Sequence, residues 1–285
     1  MLALERLYKD KLVEALNGLH RRFYPSELAF LAATSKPEGS LRDQVAVRLY
    51  EDMKDKIISR EWNHVDLAFL NASQIPECLV EFELVTGGGM LHRETDEEAI
   101  KDVKDGFASL REWEKQKLED VNARRSAASK RMLVDLMYDL EQCEKYCCEL
   151  EKDFDVQKLS DLPIFGVALA TCVGAPFPSP PFGRGRGGRH WPSIFKNVPS
   201  QRRILRNDST LDNIENRAKE LFKKIVAAVR ELNLEILKEG VIRGSGNNEA
   251  PDKIFVPMPD GEKALEIPVS VVWWLVKLKP LHNRQ

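Results

Sequence analysis

The sequence predicts an α/β protein in which helices flank a mixed central sheet. Helical segments at the N-terminus precede three short strands, 56–61, 64–71 and 77–86, which end at a run of three glycines. A helical region from about 95 to 154 follows. It leads to a continuous apolar run at 162–173, which is typical of a strand buried on both faces. The C-terminal third again has the pattern of strands.

The composition excludes several classes of protein. The chain has 285 residues, 43% of them hydrophobic, which suffices for one large domain or a core domain with an insertion. A net charge of −2 means that nucleic acid contacts require a local patch. The five cysteines lack the spacing of a disulfide framework or a zinc site, and no apolar run reaches the roughly 18 residues of a membrane span. We therefore expect a cytoplasmic protein from a reducing compartment that does not insert into membranes.

Three helices are predicted before the first strand. The first covers residues 2–22 and the second 26–33, with Ser26 as a plausible N-cap. The third covers roughly 41–54 and has Ser40 in the capping position. Its apolar residues recur every four positions and form one stripe: Leu41, Val45, Leu49 and Met53.

Three carboxylates lie in the apolar strands that follow. Successive side chains of a strand alternate between its faces, so Glu81 and Glu83 share one face with Leu79. A hairpin through 71–76 brings Asp66 beside Glu81. Converging carboxylate oxygens suit Mg²⁺, which borrows its remaining ligands from water and phosphate. The alternative is that Glu81 and Glu83 face solvent on a half-exposed strand.

The second half of the helical region carries a heptad seam. Within the chain, this seam would pack against 100–121 as a helical hairpin; alternatively, residues 133–154 form a homodimer. Two cysteines at seam positions are interpreted as small core residues and not as metal ligands. The seam consists of Leu133, Leu136, Leu140, Cys143, Cys147, Leu150 and Phe154.

A further helix is predicted from about 210 to Glu239, capped by Asp208, Ser209 or Thr210. The strands after it include Trp273 and Trp274, which place one indole on each side of a strand. We expect one of these indoles in the core and the other at a surface contact.

The segment 183–206 is the strongest nucleic-acid signal in the chain because it is rich in arginine and glycine and has no acidic residue. Guanidinium groups bind phosphates bidentately, and interleaved aromatic rings can stack on bases. The alternative is a surface loop with scattered arginines. The candidate DNA-binding residues are Arg184, Arg186, Arg189, Arg202 and Arg203.

The phrases REWNHVDLAFL and LVEFEL, residues 60–70 and 79–84, resemble the PD-(D/E)XK nuclease superfamily, whose fold is that of restriction endonucleases. The resemblance covers roughly residues 40–110, with 162–173 as a candidate fourth core strand. It implies that Asp66 and Glu81 hold Mg²⁺ or Mn²⁺. Glu83 replaces the family's lysine and would act as base or second-metal ligand. The family also carries an acid in its first helix, for which Glu51 is the first choice and Asp43 the second.

The resemblance therefore implies Mg²⁺-dependent hydrolysis of DNA by a restriction-endonuclease-like domain. The predicted organisation is 1–94 for the N-terminal helices and first core strands, 95–158 for a helical insertion or arm, and 159–285 for the rest of the sheet and the basic loop. One alternative is a nuclease fold that has lost catalysis and serves as a binding or interaction scaffold. Another is an unrelated helical interaction protein with a small sheet.

Overall fold

The computed structural model describes residues 2–34, 37–62, 65–85, 95–116, 132–154, 162–174, 210–244, 250–256 and 265–279. The helices in these ranges are α1 (Leu2–Gly18), α2 (Glu27–Thr34), α3 (Glu38–Asp52), α4 (Asp96–Gln116), α5 (Met132–Phe154) and α6 (Leu211–Ala228), with short 3-10 turns at Leu19–Arg21 and Arg230–Leu232. The strands are β1 (Ile57–Trp62), β2 (Val65–Leu70), β3 (Pro76–Leu84), β4 (Ile164–Val173), β5 (Leu234–Ile242), β6 (Asp252–Val256) and β7 (Leu265–Leu278).

The strands form one mixed seven-stranded sheet in the order β1-β2-β3-β4-β7-β5. Strand β6 pairs with the first part of β7, and β5 pairs with the rest of it. Strands β3 and β4 run parallel, whereas every other pair of neighbours is antiparallel. The predicted α/β class and the mixed sheet flanked by helices are confirmed.

Each face of the sheet is covered by its own helical layer. Helices α1, α2 and α3 pack on one face, and α4, α5 and α6 pack on the other. The sequence of strand β4 is apolar without interruption because its alternate residues enter the cores on opposite faces of the sheet. Phe165, Val167 and Leu169 lie in the first core, whereas Ala168, Ala170 and Cys172 lie in the second.

Both indoles of the Trp273–Trp274 pair are fully buried. Trp273 enters the core beneath α1 to α3, while Trp274 stacks on Phe222 of α6 with ring centroids 4.2 Å apart. The two indoles lie on opposite sides of β7, as predicted. The expectation that one of them marks a surface contact is wrong, because helices cover β7 on both faces.

Two of the predicted N-caps in the first part of the chain are wrong. Ser26 does not cap α2: the backbone N–H groups of Ser26 and Ala29 donate to the buried carboxylate of Asp252, at 2.9 and 3.3 Å. A strand more than two hundred residues away in sequence thus supplies the cap. Helix α3 begins at Glu38 after Pro37, so Ser40 lies inside its first turn.

Helix α6 begins as predicted but ends earlier. The side chain of Thr210 accepts a hydrogen bond from the Asn213 backbone N–H at 3.3 Å, which makes it the N-cap. The prediction that this helix runs to Glu239 is wrong, since the chain turns through Asn233, at φ 50°, into β5. Val229 and Leu232 extend the apolar spacing beyond the helix because both still reach the same core.

The seam of α5 packs inside the chain. Its residues from Leu133 to Cys147 are buried against β3 and β4, and α4 contacts both α5 and α6. The predicted homodimer through 133–154 would need this face, and up to Cys147 the face is already covered. None of the helices in the described ranges is long and apolar enough to cross a membrane.

Gly240 has no room for a side chain, because it pairs with Trp273 across β5 and β7. A Cβ atom there would lie 2.4 Å from Cζ2 of the Trp273 indole. We expect Gly240→Ala to lower the free energy of unfolding by about 1–3 kcal/mol or more, measured by urea denaturation. The control is Gly39→Ala in α3, where nothing lies within 4 Å and a gain of up to about 1 kcal/mol is expected. Equal effects of the two substitutions would contradict this packing argument.

Candidate carboxylate site at the parting of two strands

Strands β2 and β3 part at the level of Asp66 and Glu81. The last pair in their antiparallel register is Leu67 with Val80, so the next pair would be Asp66 with Glu81. Instead β3 continues in the sheet by pairing with β4, where Glu81 lies beside Gly166. Backbone groups that leave a ladder must find other partners. The parting therefore opens a position in the sheet that side chains have to fill.

The carboxylate of Asp66 fills this gap. Its Oδ2 accepts a hydrogen bond from the Phe82 backbone N–H at 2.8 Å. The backbone N–H of Asp66 points the other way, toward Oε2 of Glu81 at 3.4 Å. The two side chains thus replace the missing ladder bonds, and each is held by the backbone of the opposite strand. The expectation that the hairpin brings Asp66 beside Glu81 is confirmed.

Glu81 is buried, with 7% of its surface exposed, and it faces α5. The Cys143 thiol donates to its Oε1 at 3.2 Å. Burial and the negative charge of Asp66 raise the pKa of Glu81 to about 8, although the bond from Cys143 acts in the opposite direction. Near neutral pH Glu81 is therefore largely protonated and can donate to Asp66. Cys143 was expected to be only a small core residue, and it is also a hydrogen-bond donor to the site.

Arg42 of α3 reaches Asp66 from the opposite face of the sheet. Its Nη1 donates to Oδ1 of Asp66 at 2.9 Å, and its Nη2 donates to Glu61 at 3.1 Å. Its Nε lies 3.2 Å from Asp43. Burial lowers the pKa of Arg42, but the bonds and charges of Asp66 and Asp43 outweigh it and raise that pKa. The guanidinium is thus a permanent cation among three acids.

The backbone of Glu61 is unusual. It has a φ of 53°, a left-handed conformation that a residue with a side chain rarely adopts. Pairs form on either side of it, Arg60 with Leu67 and Trp62 with Val65, but not at Glu61 itself. Strand β1 is therefore interrupted at the level of Asp66, and strained backbone of this kind is frequent at functional sites.

Glu83 lies two residues beyond Glu81 and shares its face, half-buried. The predicted parity of β3 is confirmed: Leu79 packs with Cys143, whereas Val80 and Phe82 enter the core beneath α3. The next backbone N–H, that of Leu84, donates to Oε2 of Glu38 at 3.2 Å. Sequence reasoning missed Glu38, since an acid in the first turn of a helix is ordinary.

The structure does not bring Glu51 together with the other predicted site residues. It lies nine residues beyond Arg42, about 14 Å along the axis of α3, and it forms an ion pair with Arg22. The hydrogen bond from Arg22 lowers the pKa of Glu51. Of the acids in α3, Glu38 and Asp43 lie near the carboxylates and Glu51 does not.

The carboxylate pair offers few ligands for a metal ion. Among the residues described, no group of three or more His, Cys, Asp and Glu side chains is arranged to hold a metal ion. Asp66 and Glu81 supply two carboxylates, which is the number that Mg²⁺ uses when substrate phosphates and waters complete its shell. Binding would require an ionised Glu81 and the withdrawal of Arg42 from Asp66.

The predicted DNA-binding residues lie outside the described ranges. Arg184, Arg186, Arg189, Arg202 and Arg203 belong to the segment between Gly174, at the end of β4, and Thr210, the cap of α6. In comparisons with known proteins, no family model, curated protein or solved structure matches this chain.

The raised pKa of Glu81 predicts a pH-dependent stability in metal-free buffer. The folded chain binds this proton more tightly than the unfolded chain, whose carboxyl has the ordinary value of 4.5. The contribution to stability is thus complete below pH 4.5 and is lost as the pH rises toward about 8. We expect Glu81→Gln to gain on the order of 3 kcal/mol relative to the wild type between pH 5 and 8.5, measured by urea denaturation.

Glu77 provides a control with the opposite sign. Although burial acts to raise its pKa, the hydrogen bonds from Lys56 and Tyr8 lower it. The stabilisation from Glu77 is therefore present at neutral pH and lost in acid, so Glu77→Gln should be most destabilising at the higher pH. Parallel pH profiles for the wild type and Glu81→Gln would contradict the raised pKa.

Proposed function

We propose that the chain hydrolyses phosphodiester bonds of DNA with Mg²⁺ or Mn²⁺ at Asp66 and Glu81. The observation that carries the proposal is the pair itself: two carboxylates from adjacent strands, held side by side where those strands part. Backbone N–H groups fix both of them. The pair closes the gap between the parted strands, and its burial is offset by the proton on Glu81 and by Arg42 on Asp66.

The order of elements supports a restriction-endonuclease-like fold. An acidic helix, α3, precedes three antiparallel strands; the helices α4 and α5 follow, and β4 then pairs in parallel with β3. Asp66 lies in the second strand and Glu81 in the third, as in the nuclease superfamily that the sequence resembles. Glu38, at the start of α3, is the better candidate for that family's helix acid than Glu51.

Each side chain has a definite part in the proposed reaction. A divalent ion held by this pair would supply Lewis-acid activation of the scissile phosphate and of the attacking water. Asp66 and Glu81 would hold the ion, and Glu83, on the same face of β3, would accept the proton of the water or bind a second ion. Cys143 and the Phe82 backbone N–H orient the two carboxylates.

The arginines of the segment after β4 would hold the DNA backbone. Since the net charge of the chain is −2, its affinity for a polyanion has to come from a local concentration of positive charge. This segment combines arginines with glycines and aromatic residues, which suits contacts to phosphates and bases.

Two features favour a second candidate, a nuclease fold that binds DNA or a protein partner without cleaving. Arg42 neutralises Asp66, and Glu83 occupies the position of the family's lysine. A scaffold of this kind keeps the fold and loses the requirement for metal. It predicts unchanged binding when Asp66 or Glu81 is altered.

The test is cleavage of plasmid and single-stranded DNA with Mg²⁺ or Mn²⁺. We expect Asp66→Asn and Glu81→Gln each to reduce the rate at least about 100-fold, because ligands matter at least as much as the residues that orient them. The matched control is Glu215→Gln. Glu215 is a buried carboxylate of α6, 2% exposed, that accepts a hydrogen bond from Arg243. Its rate should equal that of the wild type.

Cleavage that survives both site substitutions would refute the assignment of Asp66 and Glu81. A wild-type protein that binds DNA but cleaves none with either ion would support the scaffold. Loss of cleavage in the site variants and in Glu215→Gln alike would point to a general loss of folded protein, which circular dichroism would reveal.

The basic segment has its own test. Replacing five of its six arginines, Arg184, Arg186, Arg189, Arg202 and Arg203, with glutamine should weaken DNA binding and reduce the slope of log affinity against log salt by up to about 4.5, measured by fluorescence anisotropy. The α1 variant with Arg6, Lys9 and Lys11 replaced by glutamine controls for the loss of positive charge. Equal losses of affinity in the two variants would mean that the segment has no specific part in binding.

A further inference from the structure

The left-handed backbone of Glu61 changes the faces on which β1 places its side chains. Successive side chains of a regular strand lie on opposite faces. Arg60 and Glu61 instead both reach α3: Nη1 of Arg60 lies 2.7 Å from Oδ2 of Asp43, and Glu61 accepts a hydrogen bond from Arg42 at 3.1 Å. The alternation is thus shifted by one position, and the next residue, Trp62, lies on the α5 face of the sheet.

Trp62 and Tyr146 of α5 form a half-buried aromatic pair. Their rings meet edge to face with centroids 6.1 Å apart, and both border the small core that contains Cys143 and Cys147. With regular alternation in β1, the indole would share the α3 face with Arg60. The strain at the residue before it therefore sets the position of the indole, and backbone strain of this kind is frequent where a side chain has to be placed for function.

The aromatic pair lies next to the carboxylates of the candidate site. Strands β1 and β2 pair at Trp62 and Val65, and Val65 directly precedes Asp66. On α5, the tyrosine of the pair lies three residues after Cys143, whose thiol donates to Glu81. Residues three apart are neighbours on one helix face, about 5–6 Å from each other. The two rings therefore border the carboxylates from β1 and from α5.

An indole and a group of carboxylates offer different contacts to a DNA strand. Without an ion, the carboxylates repel phosphate groups. Stacking of a base on an aromatic ring is an uncharged contact, and every base can make it when its own face is not covered by neighbours in a duplex. An indole in this acidic neighbourhood therefore suits a base and not a phosphate, and it suits an unpaired base best.

We propose that Trp62 stacks on an unpaired nucleobase and so positions a DNA strand beside Asp66 and Glu81. The proposal rests on the proposed function for its ligand, DNA, but it does not depend on a bound metal ion. It names the substrate class of that function: single-stranded DNA, or a duplex in which a base is unpaired. The left-handed Glu61 then has a defined part, because it turns the indole to the face on which the strand lies.

The test compares two dye-labelled strands of equal length, one of thymidines and one of abasic residues, by fluorescence anisotropy in the presence of EDTA. We expect Trp62→Leu to bind the thymidine strand about fivefold or more weakly than the wild type, because the ring on which a base stacks is lost. Its affinity for the abasic strand should equal that of the wild type. The matched control is Phe255→Leu, which removes a 55% exposed ring from β6, beyond β4 and β7 from the site. It should change neither affinity.

A second measurement uses Trp62→Phe, which keeps an aromatic ring in the packing against α5. It is made in a Trp191→Phe background, so that the indole of the basic segment does not contribute. At saturation, the thymidine strand should quench the tryptophan emission of the parent protein more than the abasic strand does. Trp62→Phe should lose this difference, although its affinity for the thymidine strand stays close to that of the parent.

The outcomes separate the two proposals. The stacking proposal is overturned if Trp62→Leu, folded by circular dichroism, loses affinity for both strands equally or for neither. It is also overturned if the difference in quenching survives in Trp62→Phe. Both results leave the assignment of Asp66 and Glu81 to its own cleavage test. A wild-type protein that binds neither strand and no duplex contradicts the proposed function and the stacking proposal together.

Discussion

Backbone hydrogen bonding at the parting of β2 and β3 is the constraint on which the site depends. Strand β3 must leave β2 beyond Val80 while it stays paired with β4, so its outward N–H groups lose their ladder partners. Buried N–H groups cannot remain unpaired without a substantial loss of stability. Carboxylate oxygens take their place: Asp66 accepts from Phe82, and Glu38 accepts from Leu84. Acids are thus placed along the gap by the requirements of the sheet itself.

This placement concentrates negative charge, and the surrounding helices offset it in two ways. From one face α3 supplies the fixed cation of Arg42, which lies on the more exposed carboxylate, Asp66. From the other face α5 supplies the neutral thiol of Cys143 and the negative charge of Asp139, and the pKa of Glu81 is raised so that it keeps its proton near neutral pH. A divalent cation would remove the need for both arrangements, since it would balance two ionised carboxylates at once.

Local patterns predicted most of the fold and the central pair of the site. Alternation in β3 placed Glu81 and Glu83 on one face, and the uninterrupted apolar run of β4 indicated burial on both faces. The errors arose where distant residues decide. Asp252 caps α2 across the sheet, and Val229 and Leu232 keep a helical spacing after α6 has ended. Arg42 could not be found from the sequence, because its partners Asp66 and Glu61 lie in other elements.

Arg42 provides a positive charge near Asp66, whereas β3 has Glu83 at the position where the superfamily that the sequence resembles has a lysine. Glu83 makes β3 more acidic than a strand with a lysine at this position would be. The cation is supplied instead by α3, on a guanidinium that stays charged at any physiological pH and bonds to three carboxylates together. The replacement therefore changes more than the position of one positive charge: the cation is bonded to Asp66, Glu61 and Asp43 together and is not carried by β3 beside Glu81.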